Sequence, residues 1–448
     1  MSNTIERVTP DAQRLKEVVA ALLREARDHG VDQAEAGASH QVGLSATARL
    51  GDVENLEYTN DRGVGITVYK QSCKGSASTS DFSPESLSEA VSKACAFAEN
   101  TAADPHSGLA DAALMATEFP DLKLAHDWPL DAEEAIRLAI ECEDAARSAD
   151  ARIENSEGAT VGTANAVRAY GNSHGFLSSN RKTSHSISCA VLGMQDGTMQ
   201  RDYWYTTSRN PAALLSPAEV GLEAARRTVA RLGAKKISTT RAPVLFAPEL
   251  ARGFMGHAVG ALSGGAQYRR ASFLLEAAGE KLFSDFVQIH ERPHLECALA
   301  SANYDAEGVA TRDRDLVVDG VIAGYVLSSY SARRLGLTTT ANAGGIHNLV
   351  IPGNAGDKNE IISSMQRGLL VTELIGQGVN NVTGDYSRGA VGFWIENGEI
   401  VHPVHEVTIA GNLRDLYGRI LAIGKDQDLR GGIRCGSVLV DDMTIAGD

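Results

Sequence analysis

The most suggestive letters in this 448-residue sequence are His290-Glu291-Arg292-Pro293-His294, which spell H-E-x-x-H. On a helix, two histidines four apart face one zinc ion, and the glutamate serves a bound water. Pro293 works against that geometry. Its ring would clash with the Ile289 carbonyl, and it disfavours helical backbone at Arg292. The segment therefore reads as a loop with two incidental histidines. His402 and His405 lie three apart, so an extended chain sends them to opposite faces, a poor arrangement for co-ligands. His347 follows a glycine pair and is placed to line a groove. The polar, glycine-bracketed segment Gly384-Asp385-Tyr386-Ser387-Arg388-Gly389 suits a loop that holds peptide backbone or a partner. Six scattered cysteines include no C-x-x-C pair, so they form no zinc-finger framework and are expected as reduced thiols. No G-x-x-x-x-G-K-[ST] phosphate cradle is present, no G-x-S-x-G elbow is expected, and no serine stands out.

The elements that must position these residues can be read from periodicity and caps. Thr9-Pro10 opens a helix carrying Leu15, Val18, Val19, Leu22 and Leu23, and Gly30 ends it. Strand-like stretches follow at 33–49 and 54–79. Ser83-Pro84 opens a second helix, to about residue 100, with Leu87, Val91, Cys95 and Ala98 on one stripe. After a proline-marked stretch the order repeats. Asp131 and Glu134 resemble a capping box, strands fill 151–207, and Ser216-Pro217-Ala218-Glu219 starts a helix that Gly233 ends. The sequence thus suggests a helix–strands–helix duplication. The expected organisation is an N-terminal α/β subdomain (1–104), a linker (105–130), a second α/β subdomain (131–235) and a β-rich domain with a few helices (236–448). In the last, helices are expected at 248–262 and 357–370. Hairpins are expected at Asp319-Gly320 and Asn397-Gly398. The fold class is α+β.

Lys and Arg number 42 against 57 Asp and Glu, a net charge of −15. That balance disfavours direct nucleic-acid or anionic-membrane binding. No apolar run reaches membrane-spanning length. The N-terminal stretch has no basic start followed by an apolar core, so a cytoplasmic location is expected.

Four blocks carry a resemblance: GFMGHAVGALSGGAQYRRASFLL (253–275), SYSARRLGLTTTANAGGIHN (329–348), VTELIGQGVNNVTGDYSRGAVGFWIENGEI (371–400) and VTIAGNLRDL (407–416). They closely resemble the PmbA (TldE) branch of the TldD/PmbA family, described as peptidase-like and linked to modulation of DNA gyrase. The resemblance implies a cytosolic complex with a TldD-like subunit and a peptide substrate, in microcin maturation and antitoxin degradation. It also allows a homodimer when the chain is alone. The TldD branch carries H-E-x-x-x-H on a helix. In register, this chain has Gly256 and Ala261 at the two histidines and His257 at the glutamate. Cys435 is similar to a cysteine that TldD-type chains use as a further ligand. The resemblance therefore implies no metal in this chain and zinc in the partner. The helix would keep Leu250, Phe254, Ala258 and Ala261 as an apolar stripe, with Gly256 and Gly260 admitting another backbone. His347, Asp385, Tyr386, Ser387 and Arg388 are the candidates for a peptide-binding wall. Two alternatives stay open. One is a self-sufficient peptidase using His257, Cys435 and a distant carboxylate; the other is a non-proteolytic regulator acting on gyrase.

Overall fold

The computed structural model describes residues 10–447. Its N-terminal half is two copies of one helix–three strands–helix unit. The first is α1 (Ala12–Asp28), β1 (Gln33–Arg49), β2 (Asp52–Lys70), β3 (Cys73–Thr79) and α2 (Pro84–Glu99). The second is α3 (Ala132–Ser148), β4 (Ile153–Asn172), β5 (Leu177–Gln195), β6 (Thr198–Ser208) and α4 (Pro217–Ala230). All six strands form one antiparallel sheet in the order β3-β2-β1-β4-β5-β6, so the units meet at a central β1–β4 seam.

The caps fall largely where the sequence places them. Ser83 and Asp131 each accept the amide three residues on, and Ser216 with Glu219 closes a full capping box. Asp131 supplies only half of the box expected there, because the Glu134 carboxylate accepts from Arg137 instead. At α1 the cap is Asp11, which accepts from the Gln13 and Arg14 amides; Thr9 lies outside the described residues. Along β1 the even-numbered side chains Ala34, Ala36, Ala38, Leu44, Ala46 and Ala48 are buried. They meet α1 and α2 at one end and α3 and α4 at the other, forming two separate apolar clusters. Small residues let the helices lie close. A Cβ on Gly75 would sit 1.9 Å from the Ala94 carbonyl oxygen, so only glycine permits α2 to rest on β3.

The C-terminal half holds β7 (Thr240–Phe246), α5 (Pro248–Ala261), α6 (Gly264–Tyr268), β8 (Ile289–Glu291), β9 (Arg314–Val318), β10 (Val321–Ile322), α7 (Ser329–Leu335), β11 (Leu349–Val350) and α8 (Lys358–Ser364). It ends with β12 (Arg367–Ile375), β13 (Asp385–Glu396), β14 (Glu399–Asn412), α9 (Leu413–Gly418), β15 (Ile420–Ile423), β16 (Ile433–Arg434) and β17 (Val438–Ala446). One sheet runs β14-β13-β12-β7-β17-β15, and a β14–β17 pairing closes five of these strands into a ring. The second runs β10-β9-β8-β11-β16. Both are mixed: β12–β7 and β11–β16 are parallel. The Asp319-Gly320 and Asn397-Gly398 turns both take positive φ at both residues, as tight hairpins require. The helix expected over 357–370 stops at Ser364; Arg367 onward is strand, because Leu369, Leu370 and Val371 pair with β7 and are buried on both sheet faces.

Among the contacts that join the halves, two stand out. Residues 105–130 form a strap with one short 3-10 turn, bonded to both sides: Thr183 donates to the Leu124 carbonyl, and Cys297 to that of Leu122. A buried ion network spans the junction. Arg227 pairs with Asp202 and Glu249 at 3.4 and 2.7 Å, and Arg231 pairs with Asp202 and Glu373 at 3.3 and 2.5 Å. Among the described residues no helix is long and apolar enough to cross a membrane.

Candidate functional site

Helix α5 follows β7 directly, with Pro248 in its first turn. Glu249 is held by Arg227, and Arg252 donates to the Arg430 carbonyl at 3.1 Å and the Tyr205 hydroxyl at 3.0 Å. Its buried stripe is Ala251, Phe254, Met255, Ala258 and Ala261, while Leu250 is only partly covered. Phe254 stacks on Phe246 at 4.8 Å, and the Tyr417 hydroxyl donates to the Phe254 carbonyl at 2.8 Å. The glycines do not serve a backbone approach. A Cβ on Gly256 would meet the Ile433 side chain at 3.5 Å, and one on Gly260 would meet open space.

His257 points at β13. Its ring sits edge-on to Tyr386, 6.0 Å between centroids. Burial, and then the nearby Arg388 guanidinium, lower the imidazole's pKa, which favours the neutral ring. Tyr386 is buried, and its hydroxyl has no hydrogen-bond partner. Burial raises its pKa, so the phenol stays protonated. Residues 385–389 are strand, not loop: β13 pairs with β14 from Asp385–Asn412 onward. Strand alternation therefore splits the expected wall. Tyr386 and Arg388 share the face toward His257. Asp385 and Ser387 take the other, where the Asp385 carboxylate accepts from Thr383 at 2.6 Å and Asn412 at 3.3 Å. Arg388 donates to the Ile375 carbonyl at 3.3 Å. His347 lies elsewhere. Its Nε2 meets the Ala341 carbonyl at 3.0 Å, and its amide donates to Glu291 at 2.6 Å.

The donors around α5 do not fit zinc. Gly256 and Ala261 have no ligating atom, and His257 alone is short of the three protein ligands a catalytic site needs. Cys435 is fully buried, and that burial pushes its thiol well up, away from the thiolate a metal takes. Among the described residues no group of three or more His, Cys, Asp or Glu is arranged to hold a metal. The H-E-x-x-H letters lie on β8 and the turn after it. His290 is paired with Asp315 at 2.7 Å, His294 with Thr311 at 3.1 Å, and Glu291 with Arg314 at 2.6 Å. A further set of letters, Gly171-Asn172-Ser173-His174-Gly175, spells G-x-S-x-G. It forms the β4–β5 hairpin rather than a strand-to-helix elbow, and the Ser173 hydroxyl accepts the Ala34 amide at 3.1 Å.

Three domain descriptions of one family match the chain in order. They are the PmbA/TldA metallopeptidase domain 1 (residues 34–98), central domain (125–232) and C-terminal domain (239–447). This chain belongs to the PmbA/TldD family. The metalloprotease PmbA of Escherichia coli is 47% identical over 439 residues, covering 98% of this chain and 97% of its own. The PmbA homologue of Haemophilus influenzae is 46% identical, covering 95% and 96%. A zinc metalloprotease TldD homologue from Saccharolobus solfataricus is 27% identical over 42% of this chain and 45% of its own. Among solved structures, a Bacteroides thetaiotaomicron protein described as a proposed modulator of DNA gyrase superposes with a TM-score of 0.92. It shares 27% identity and covers 97% of this chain and 99% of its own. TldE of Thermococcus kodakarensis, at 21% identity and TM-score 0.85, shares the fold. Family membership is of the PmbA/TldE type.

Proposed function

We propose that this chain is the PmbA/TldE-type subunit of a two-chain cytosolic peptidase acting on small or unfolded peptides, microcin precursors and antitoxins among them. A TldD-like partner would hold the zinc, and this chain would form a wall of the peptide chamber. One observation carries the reading. Helix α5 is kept as a tethered, buried scaffold, yet both positions that would bear its histidine ligands lack a donor atom. The same helix faces Arg388, a guanidinium suited to peptide carbonyls or a carboxylate, beside the buried Tyr386. Alone, the chain would pair with a second copy of itself.

The test is peptide cleavage by this chain alone, by a TldD-like chain from the same organism alone, and by the mixture, with metal content measured for each. The reading expects full activity only in the mixture and zinc only with the partner. Stoichiometric zinc in this chain, with hydrolysis lost to a chelator, would instead establish a self-sufficient peptidase. Recovery of gyrase without any TldD-like chain would favour a regulatory role.

A further inference from the structure

The strap, the start of β5 and residues 302–304 enclose a cavity of about 540 Å³ that includes no residue of α5. That size is ordinary for a ligand site. Three independent features converge on it.

The first is an open strand edge. β6 ends at Ser208 opposite His185, so residues 177–184 of β5 have a strand on the β4 side only. The Thr183 amide donates outward to Leu124 at 3.0 Å, and its carbonyl accepts from Arg209 at 3.0 Å. By alternation, the amides and carbonyls of Ser179 and Arg181 point the same way, into the cavity they line. Such an edge is a template for another strand.

The second feature is unbalanced charge. Lys123 pairs with Glu296 and Arg181 with Asp127, but the Lys182 ammonium reaches only the Ser301 carbonyl, at 3.1 Å. Among the described residues no carboxylate forms an ion pair with Lys182, Arg168 or Arg209. Burial, followed by those two arginines, pushes Lys182 down to about 8. The third is an orphan acceptor. Asn303 Nδ2 donates to the Pro120 carbonyl at 3.0 Å, while its buried Oδ1 has no partner.

We propose that this cavity docks an extended peptide segment bearing a carboxylate, which adds to the free edge of β5, sets its carboxylate on Lys182 and donates an N–H to Asn303. Edge amides alone would accept any strand, and a lone cation any anion. The combination, on a chain of net charge −15, selects a peptide that brings both. The inference deepens the peptide-handling reading by giving the substrate a chemical character and a second point of attachment.

The test uses the purified full chain without its partner and reads fluorescence anisotropy, so it does not depend on hydrolysis. The probe is a labelled hexapeptide ending in Asp-Glu with a free terminus; its control ends in an amidated Asn-Gln. The acidic peptide is expected to bind at least tenfold more tightly. Lys182→Met should abolish that preference with the thermal midpoint held or raised, since a partly buried ammonium with no carboxylate partner is replaced by an apolar chain of similar length. Ser179→Pro, which removes an edge amide but no bond to β4, should weaken binding at least tenfold. Lys93→Ala, on the exposed face of α2, should leave binding unchanged. Equal binding of the two peptides, or unaltered binding by Lys182→Met, would overturn the proposal. So would displacement by free phosphate or succinate at the peptide's own concentration, which would reduce the cavity to a small-anion site. Failure here with a positive mixing assay would leave the two-chain peptidase standing.

Discussion

Helix α5 and the segment 290–294 are opposite halves of one requirement. The segment has the residues of a zinc site on backbone that cannot gather them: β8 and Pro293 send His290 to Asp315 and His294 to Thr311. Helix α5 has the backbone and lacks the residues. The Gly171–Gly175 hairpin repeats the first case for a serine nucleophile. Chemistry needs side-chain type and backbone geometry together, and here each occurs without the other.

The contrast can be broken or sharpened by substitution. The largest expected effect is at Glu291, whose carboxylate is shared by Arg314, Asn342 and the His347 amide. Glu291→Ala should cost about 3–5 kcal/mol in urea unfolding, because it leaves a mostly buried guanidinium without its ion-pair partner. His290→Ala and His294→Ala should each cost under about 1 kcal/mol and change no metal content; zinc lost with either would reinstate the motif. Next, combining Gly256→His, His257→Glu and Ala261→His restores the letters on the competent helix. The variant should gain no zinc-dependent cleavage, since supporting groups are absent. Ala261 is 2% exposed, so a larger side chain there should cost about 1–3 kcal/mol. Robust cleavage would show that only the letters were missing.

A smaller effect concerns pH. Burial lowers the pKa values of His185, His257 and His347. The unfolded chain then binds more protons than the folded one below about pH 6.5, so stability falls as acid is added through that region. The thermal midpoint should drop between pH 7 and 5, and His257→Phe should flatten that drop. Asp305, raised to about 6 by burial, works the other way, so the His257→Phe comparison decides: a pH dependence unaltered by that substitution would contradict the burial assigned to the ring. Smallest of all, Gly256→Ala should stabilise by about 0.5–1 kcal/mol, the helix-propensity gain, because its Cβ finds only ordinary contact with Ile433. A destabilisation would mean the glycine is reserved for something the fold does not display.

Local signals were legible wherever one short segment decides the outcome. Ser83, Asp131 and Ser216 cap as their side chains dictate, and Pro293 was enough to dismiss H-E-x-x-H. The helix–strands–helix repeat followed from two successive periodicities. Legibility failed where distant segments compete. Residues 367–370 carry helix-like letters, but they belong to β12, which pairs with β7 from Leu369 onward. Gly384–Gly389 looked like a loop because its glycines suggest turns, yet β14 holds it extended. The cavity around Lys182 joins residues from the strap, β5 and the 302–304 loop, so no sequence window contains it.

The β1–β4 seam has a consequence for how such a chain can exist in parts. Each unit supplies the other with the rim it would otherwise leave raw, over fourteen paired residues of a long, small-sided strand. A fragment ending at Glu99 should therefore be recovered from a sizing column as couples or larger clumps rather than singly, each copy borrowing from a twin what the full-length polypeptide finds within itself.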